Sequence, residues 1–127
     1  MNKNEEKDCR LYLITPEKFD TLAFRNNLIR ALDSGDVAAV QLRMKGASDD
    51  AIKLAADLFV PVANARGVTI IMNDRPDLAI ATGCDGVHVG QKDPAVDMAR
   101  IAVGDHKVVG VTSVSYTHLT LPTTPYV

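Results

Sequence analysis

Polar side chains recur at every second position in one short stretch of the sequence. Residues 38–46 read AAVQLRMKG, a run that begins like a buried strand and then carries Gln41, Arg43 and Lys45. Residues two apart in a strand share a face, so these three side chains should point to the same side. A polar face costs free energy on burial unless its groups find partners. The stretch therefore predicts a polar ligand at this point of the fold.

The types of the two basic residues indicate what that ligand is. Arginine offers a planar fork and lysine a point charge, a combination that suits phosphate or diphosphate oxygens. The alternative is that Arg43 forms a salt bridge with a neighbouring loop carboxylate and that Lys45 is solvated. The spacing with Gln41, which would share the cost of burial, favours the phosphate interpretation.

Two aspartates, Asp74 and Asp93, follow the third and fourth predicted strands, which would be neighbours in a parallel sheet. Two carboxylates beside a diphosphate are what octahedral Mg²⁺ needs, because this ion takes its remaining ligands from phosphate oxygens and water. Taken singly, each aspartate is better explained as a helix cap or salt-bridge partner before Pro76 or Pro94. Their joint occurrence near a basic strand end favours a magnesium site.

Other candidate groups are assigned no chemistry. His88 alternates with Val87 and Val89, which predicts a hydrogen-bonded histidine in the core. The two cysteines, Cys9 and Cys84, lack metal-ligand spacing and are interpreted as reduced thiols, with Cys84 packed in apolar surroundings. The sequence has no Walker-type loop, no G-x-G-x-x-G, no Cys/His cluster and no nucleophile elbow. Phosphate and metal chemistry is what remains.

The composition is that of one folded domain rather than of a disordered tail, with 46% hydrophobic and 24% charged residues. A net charge of -2 and scattered Lys and Arg argue against nucleic acid as a partner. The charged N-terminus MNKNEEKDC lacks the apolar core of a signal peptide, and no apolar run approaches the roughly 18 residues that span a bilayer. We therefore expect a cytoplasmic protein that binds small molecules and neither nucleic acid nor a membrane.

The elements that must position these groups follow an alternating pattern. Short β-rich runs alternate with helix-length segments, which predicts an α/β fold of βα units on a parallel sheet. We predict strands at 9–15, 37–43, 68–72, 86–90 and 107–111, and helices at 19–35, from 49 through 63, from 76 to a stop at Gly83, and at 94–101. Ser48 is the expected N-cap of the second helix, with Asp49 and Asp50 in its first turn, and Pro61 should kink or split that helix. The predicted buried stripe of this helix consists of Ile52, Ala55, Ala56, Phe59 and Ala63.

Polar groups gather after the strands rather than before them. The carboxyl ends of parallel strands are where ligands bind, because βα loops and helix N-termini converge there. The amino ends carry ordinary turn residues. The groups at the carboxyl ends of strands two to five are Gln41, Arg43 and Lys45; Asn73, Asp74 and Arg75; Gln91, Lys92 and Asp93; and Thr112 and Ser113.

The pattern stops after residue 113. Residues 114–127 contain no helical stripe, and their prolines and threonines suit neither a helix nor a central strand. We interpret 1–9 as a disordered N-terminus, 10–113 as a partial domain and 114–127 as an irregular tail of foreign sequence. The alternative for the tail is a natural irregular extension.

Five segments, LYLIT, VQLRMK, IIMNDRPDLA, GCDGVHVGQKD and VVGVTS, resemble in their order and spacing the N-terminal half of thiamine phosphate synthase. The resemblance covers about residues 10–113, and the combination of Q-x-R-x-K, N-D-R and G-V-H-x-G-Q-x-D is specific. It implies a (β/α)₈ TIM barrel, of which this chain would supply the first five strands and four helices. The resemblance thus implies a truncated barrel followed by the non-matching tail.

The resemblance also implies an activity. Enzymes of this family join a hydroxymethylpyrimidine diphosphate to a thiazole phosphate, which gives thiamine phosphate and diphosphate, and they use Mg²⁺. The implied mechanism is dissociative: diphosphate leaves with its charge neutralised, and the thiazole nitrogen captures a pyrimidine cation. The implied magnesium ligands are Asp74 and Asp93, and the implied substrate-binding residues are Gln41, Leu42, Arg43, Met44, Lys45, Asn73 and Thr112.

The length of the chain departs from the family pattern, since even a compact barrel needs roughly 200 residues. The three absent βα units should hold the thiazole phosphate, so we expect no catalysis by this chain alone. The open edges of a half-barrel invite association or aggregation of this chain. A homo-oligomer is one option for the full-length protein, whose oligomeric state the sequence does not determine. The alternatives are a thiazole tautomerase-like isomerase that needs no metal, against which Asp74 and Asp93 argue, and a non-catalytic fragment.

Overall fold

The computed structural model describes residues 9–90 and 93–112, the side chains of residues 93–95 excepted. Within these residues the chain forms one five-stranded sheet in the order β1-β2-β3-β4-β5, with every neighbouring pair parallel. A helix follows each of the first four strands, so the predicted succession of βα units is confirmed. The elements are β1 (Leu11–Ile14), α1 (Thr21–Ser34), β2 (Val37–Leu42), α2 (Asp49–Ala65), β3 (Thr69–Asn73), α3 (Pro76–Thr82), β4 (Gly86–Val89), α4 (Asp93–Val103) and β5 (Val108–Val111).

Local capping explains where the helices begin and end. Ser48 Oγ accepts a hydrogen bond from the Ala51 amide at 3.1 Å, which confirms the predicted N-cap of α2. Asp20 caps α1 in the same way, so α1 begins two residues after the predicted start at Phe19. Gly83 ends α3 with a left-handed φ of 78°, a conformation that glycine adopts at no steric cost.

Pro61 does not split α2, and the prediction of a split is wrong. The helix runs from Asp49 to Ala65 with Pro61 inside it. Proline removes one helical donor and leaves the carbonyl of Asp57 without its usual partner. Both Pro61 and Asp57 are exposed, so water can serve that carbonyl. The opposite face of α2 is buried as predicted, at Ile52, Ala55, Ala56, Phe59 and Ala63.

The two faces of the sheet differ in what covers them. The helices pack against one face, where Leu42, Met72 and Val87 are at most 1% exposed and join the main hydrophobic core. The register places Gln41 beside Ile71 on the other face, which no helix in the described part of the chain covers. That uncovered face forms a groove of about 280 Å³.

His88 lies on the uncovered face, so its predicted position in the core is wrong. The register pairs it with Asn73 on β3 and with Gly110 on β5. Val87 and Val89, on either side of it, do lie in the core. The predicted alternation was therefore correct, but the apolar neighbours and not the histidine face the helices.

The two cysteines differ sharply in exposure. Cys9 is exposed, whereas Cys84 is completely buried, and both thiols are free. Burial raises the pKa of the Cys84 thiol above its ordinary value. No helix within the described residues is long and apolar enough to cross a membrane.

Gly86 allows β4 and β5 to approach each other closely. A Cβ atom added at Gly86 would overlap the carbonyl oxygen of Val108 and would lie 2.7 Å from the Cβ of that residue. Backbone cannot yield as a flexible side-chain end can. Glycine is therefore required at the first residue of β4 by the neighbouring strand, not by its φ.

We expect the substitution Gly86→Ala to lower the free energy of unfolding by about 1–3 kcal/mol, the usual cost of forcing an atom into packed space. Gly35→Ala is the matched control, because a Cβ there would meet only Leu11 Cδ1 at 3.9 Å. That control should be neutral or slightly stabilising, since alanine restricts the unfolded chain. Urea denaturation of both variants is the measurement, and equal stabilities would contradict the close-approach argument.

Candidate functional site

A cavity of about 400 Å³ lies at the carboxyl ends of β2 and β3, between the loops that follow these strands. Its polar side chains are Lys45 from the first loop, Asn73 from the end of β3, and Asp74 and Arg75 from the second loop. Its apolar lining consists of Leu42, Met44, Ala47, Ile52 and Met72. The predicted gathering of polar groups at this end of the sheet is present, with charge of both signs around one space.

A tight turn brings Lys45 to the cavity. β2 ends at Leu42, the Ala47 amide donates to the Met44 carbonyl at 3.1 Å, and Gly46 takes a left-handed φ of 81°. Met44 packs against the hydrophobic core, while Lys45 is exposed. Lys45 forms no ion pair with any residue in the described ranges. Its charge is therefore available to a ligand.

The other two polar residues of the alternating run point elsewhere. Gln41 is only 3% exposed, and its Nε2 donates to the Tyr12 hydroxyl at 3.2 Å across β1. Arg43 pairs through Nη1 with Glu17 Oε2 at 2.8 Å, in the loop after β1. The strand ends one residue before Arg43, so the predicted shared face ends there as well. The salt-bridge alternative for Arg43 is the one that the structure contains.

The Tyr12 hydroxyl is the hydrogen-bond partner of Gln41, and the sequence did not indicate this partner. Burial raises the pKa of this phenol, and the hydrogen bond from Gln41 opposes that rise. The pair satisfies the buried amide of Gln41 without any ligand. The register shift beside Leu11 moves Tyr12 opposite Ala39, which no periodicity in the sequence indicates.

Asp74 holds an unusual backbone conformation at the cavity. Its φ is 64°, and it is the only non-glycine residue with positive φ in the described part of the chain. Its amide donates to the His88 carbonyl at 2.7 Å, and its Oδ2 accepts a hydrogen bond from Asn73 Nδ2 at 3.2 Å. The left-handed region is sparsely populated by non-glycine residues, although aspartate tolerates it better than most.

The capping alternative for Asp74 is not what the structure contains. Arg75, not Asp74, occupies the N-cap position of α3, and no side chain caps that helix end. Asp74 is exposed and forms no salt bridge within the described ranges. Asp74 lines the cavity, and its carboxylate, which accepts one hydrogen bond from Asn73, has capacity to accept a cation. Asp93 is the first residue of α4, and its side chain lies outside the described part.

The described residues could hold Mg²⁺ only if a bound phosphate ligand and water supplied the other ligands of the ion. The described residues contain no group of three or more His, Cys, Asp or Glu side chains able to hold a metal. Mg²⁺ does not need one, because it often binds through one or two carboxylates together with phosphate oxygens and water. Asp74 and Lys45 line the same cavity, and a carboxylate together with an ammonium group there is consistent with a metal carried in on a phosphate ligand.

His88 and Thr112 form a polar link between β4 and β5. His88 Nε2 and Thr112 Oγ1 lie 2.6 Å apart. Burial lowers the pKa of His88, and the nearby charge of Asp74 raises it by a smaller amount. The imidazole is therefore neutral around pH 7, and the predicted substrate contact Thr112 stands next to it rather than in the lining of the cavity.

Comparisons with known proteins agree on one family. The family model described as thiamine monophosphate synthase matches residues 11–121. A thiamine-phosphate synthase of Rhodospirillum centenum is 55% identical over 114 residues, which are 90% of this chain and 55% of that protein. A thiamine-phosphate synthase of Hyphomonas neptunium is 40% identical over 115 residues, which are 86% of this chain and 52% of that protein.

A solved structure has the same fold. Thiamine phosphate pyrophosphorylase from Pyrococcus furiosus superposes with a TM-score of 0.71 at 24% identity, over 86% of this chain and 52% of that one. The five-stranded parallel sheet with four helices thus corresponds to part of a TIM-like barrel. The chain spans about half the length of the curated relatives it matches.

The pKa of His88 gives a testable pH dependence. Because burial holds this pKa below the ordinary 6.5, the unfolded chain takes up the proton first as the pH falls. We expect the free energy of unfolding to decrease between pH 7 and pH 5.5, and to decrease less in His88→Gln. Arg75 lowers the pKa values of Asp49 and Asp77 below 3.8, so these two carboxylates add little in that window. Equal pH slopes for the two proteins in urea denaturation would contradict this assignment.

Proposed function

The chain belongs to the thiamine monophosphate synthase family, and from this premise we propose that its cavity binds the diphosphate of a hydroxymethylpyrimidine diphosphate. The whole protein would then join the pyrimidine to a thiazole phosphate and release diphosphate. This is a transferase reaction that forms a carbon–nitrogen bond. The relatives named thiamine-phosphate synthase support this reaction for the full-length protein.

One observation carries the proposal. Lys45 and Asp74 project from neighbouring loops into the same cavity, and neither is neutralised by an ion pair within the described ranges. A magnesium diphosphate presents anionic oxygens and a divalent cation side by side. A free ammonium and a free carboxylate across one space are complementary to such a ligand.

Each residue has a distinct task in this proposal. Lys45 balances charge on the diphosphate, and Asn73 contacts the same substrate. Asp74 and Asp93 would hold Mg²⁺, which when bound would stabilise charge on the departing diphosphate. Leu42 and Met44 line the cavity and would contact the substrate there. Gln41, Arg43 and Thr112 lie outside the cavity lining and are bonded to Tyr12, Glu17 and His88, so each would have to leave its partner before it could contact the substrate.

The protein contributes preorganisation more than proton transfer. The buried core beneath Leu42 and Met72 fixes the strand ends, and the turns after them fix the charged groups. Charges held in place before the substrate arrives do not have to reorganise when negative charge develops on the leaving group. An isomerase that needs no metal is disfavoured, because it leaves the free carboxylate of Asp74 without a purpose.

Calorimetry with the pyrimidine diphosphate tests the binding step. We expect binding that is at least about tenfold tighter with Mg²⁺ present than absent, a difference of ~1.4 kcal/mol. Lys45→Gln and Asp74→Asn should each weaken the Mg²⁺-dependent binding about tenfold or more. Lys53→Gln is the matched control, since Lys53 is exposed on α2 and does not line the cavity.

Turnover is tested on a chimera that joins residues 1–113 to the C-terminal half of the Rhodospirillum centenum relative. The chimera should form thiamine phosphate from both substrates, and Asp74→Asn or Asp93→Ala in it should abolish product. A folded chimera that binds the pyrimidine diphosphate but makes no thiamine phosphate would refute the proposed reaction.

The contact between Arg43 and Glu17 makes a separate prediction. If Arg43 binds the diphosphate, it must first leave Glu17, and an exposed ion pair of this kind is worth about 0.2–1 kcal/mol. Glu17→Gln should therefore raise the affinity for the magnesium diphosphate by up to about fivefold in the same calorimetric experiment. An unchanged affinity would mean that Arg43 stays on the β1–α1 loop and is not a ligand contact.

A further inference from the structure

Arg75 makes an extensive set of side-chain hydrogen bonds beside the cavity. Its Nη1 and Nη2 donate to the two carboxylate oxygens of Asp49 at 2.7 and 3.1 Å. Its Nε and Nη2 also donate to the two oxygens of Asp77 at 3.1 and 2.9 Å. One guanidinium is thus held by two carboxylates in bidentate fashion, the geometry in which arginine pairs are strongest.

The two carboxylates lie on different elements. Asp49 is the first residue of α2, directly after the loop that carries Lys45. Asp77 is the second residue of α3, on the same turn as Arg75 itself. The pair with Asp49 therefore spans the two loops that flank the cavity, whereas the pair with Asp77 stays within one of them.

The carboxylates of Asp49 and Asp77 neutralise the charge of Arg75. Hydrogen bonds from Arg75 hold the pKa values of Asp49 and Asp77 below their ordinary range, and the two carboxylates raise the pKa of Arg75 in return. All three groups are ionised at neutral pH. Arg75 lines the cavity, but four of its five N–H groups already donate to carboxylates, whereas Lys45 forms no ion pair within the described ranges.

We propose that Arg75 is a positioning residue whose bond to Asp49 holds the β3–α3 turn against the start of α2, and so sets how Lys45 and Asp74 face each other. The holding of the two loops rests on the contacts of Arg75 alone. Its effect on ligand affinity rests additionally on the proposed function. Asp74 sits next to Arg75 in the chain, so any movement of Arg75 reaches the left-handed turn directly.

Hydrogen exchange measured by NMR on the whole chain tests the holding of the loops. The reporters are the Asp74 amide, which donates to His88, and the Ala47 amide, which donates to Met44. Asp49→Asn removes the bond across the loops and should speed exchange at both amides about fivefold or more. Asp77→Asn removes only the bond within the second loop and should have a clearly smaller effect.

Arg66→Lys is the matched control for Arg75→Lys. Arg66 also forms a two-bond pair with an aspartate on another helix, Asp33 of α1, but it lies at the amino-terminal end of the sheet. Arg75→Lys should speed exchange at the two reporter amides, and Arg66→Lys should leave them unchanged. The proposal is overturned if Asp49→Asn and Arg75→Lys change the reporters no more than their controls do.

Ligand affinity separates positioning from direct contact. Asp49→Asn leaves the guanidinium in place, yet it should weaken Mg²⁺-dependent binding of inorganic diphosphate about fivefold, while Asp77→Asn should not. Arg75→Lys keeps a positive charge at the cavity but loses the two-bond geometry, and it should weaken binding about as much as Asp49→Asn does. Binding that is weakened by Arg75→Lys but unchanged in Asp49→Asn would mean that Arg75 touches the ligand itself, and it would overturn the positioning role.

The exchange data also distinguish this proposal from the proposed function. If the unaltered chain binds no diphosphate with Mg²⁺, the proposed function fails. The exchange rates of Asp49→Asn and Arg75→Lys still decide whether Arg75 holds the two loops together.

Discussion

The parallel pairing of β2 with β3 is the constraint on which the candidate site depends. Its register sets Leu42 opposite Met72, and both side chains are buried in the core beneath the cavity. Lys45 and Asp74 follow these two residues within three positions. A shift of one residue in this register would turn the apolar set of one strand to the other face, because side chains alternate. The core thus determines where the two charges stand.

Charge pairing at this end of the sheet divides the basic residues into two groups. Arg43 is neutralised by Glu17, and Arg75 is neutralised by Asp49 and Asp77. Lys45 forms no ion pair in the described ranges, and neither does Asp74, which lines the same cavity. Two arginines therefore stabilise loops, while the lysine and the aspartate remain available for binding. A count of positive charges alone would have assigned all three the same role.

The elements were predictable from the sequence because local signals specify them. The Ser48 cap, the buried face of α2 and the Gly83 terminus were all predicted from residue types and spacing, and the strand boundaries differ by one or two residues. The failures came where tertiary context decides. Arg43 does not share the face of Gln41, because β2 ends before it. His88 points away from the core, because side chains alternate along β4 and its neighbours Val87 and Val89 occupy the core face.

The pairs that sequence alone missed join residues far apart in the chain. Arg75 and Asp49 are 26 residues apart, and His88 and Thr112 are 24 apart. Periodicity in a single segment carries no information about such partners. The resemblance to a family supplied the ligand residues, but it did not indicate which arginine would be occupied by a protein carboxylate.

The two cysteines differ in exposure, so their relative reactivity reports how often the hydrophobic core opens. Cys84 lies under the helices next to Thr82, whereas Cys9 stands free at the start of the described chain. The thiolate is the reactive form of cysteine, so burial and the raised pKa of Cys84 both slow its alkylation in the folded protein. The rate of alkylation at Cys9 then gives the reactivity of the reagent with an exposed thiol. The rate at Cys84 gives how often the helices separate from the sheet.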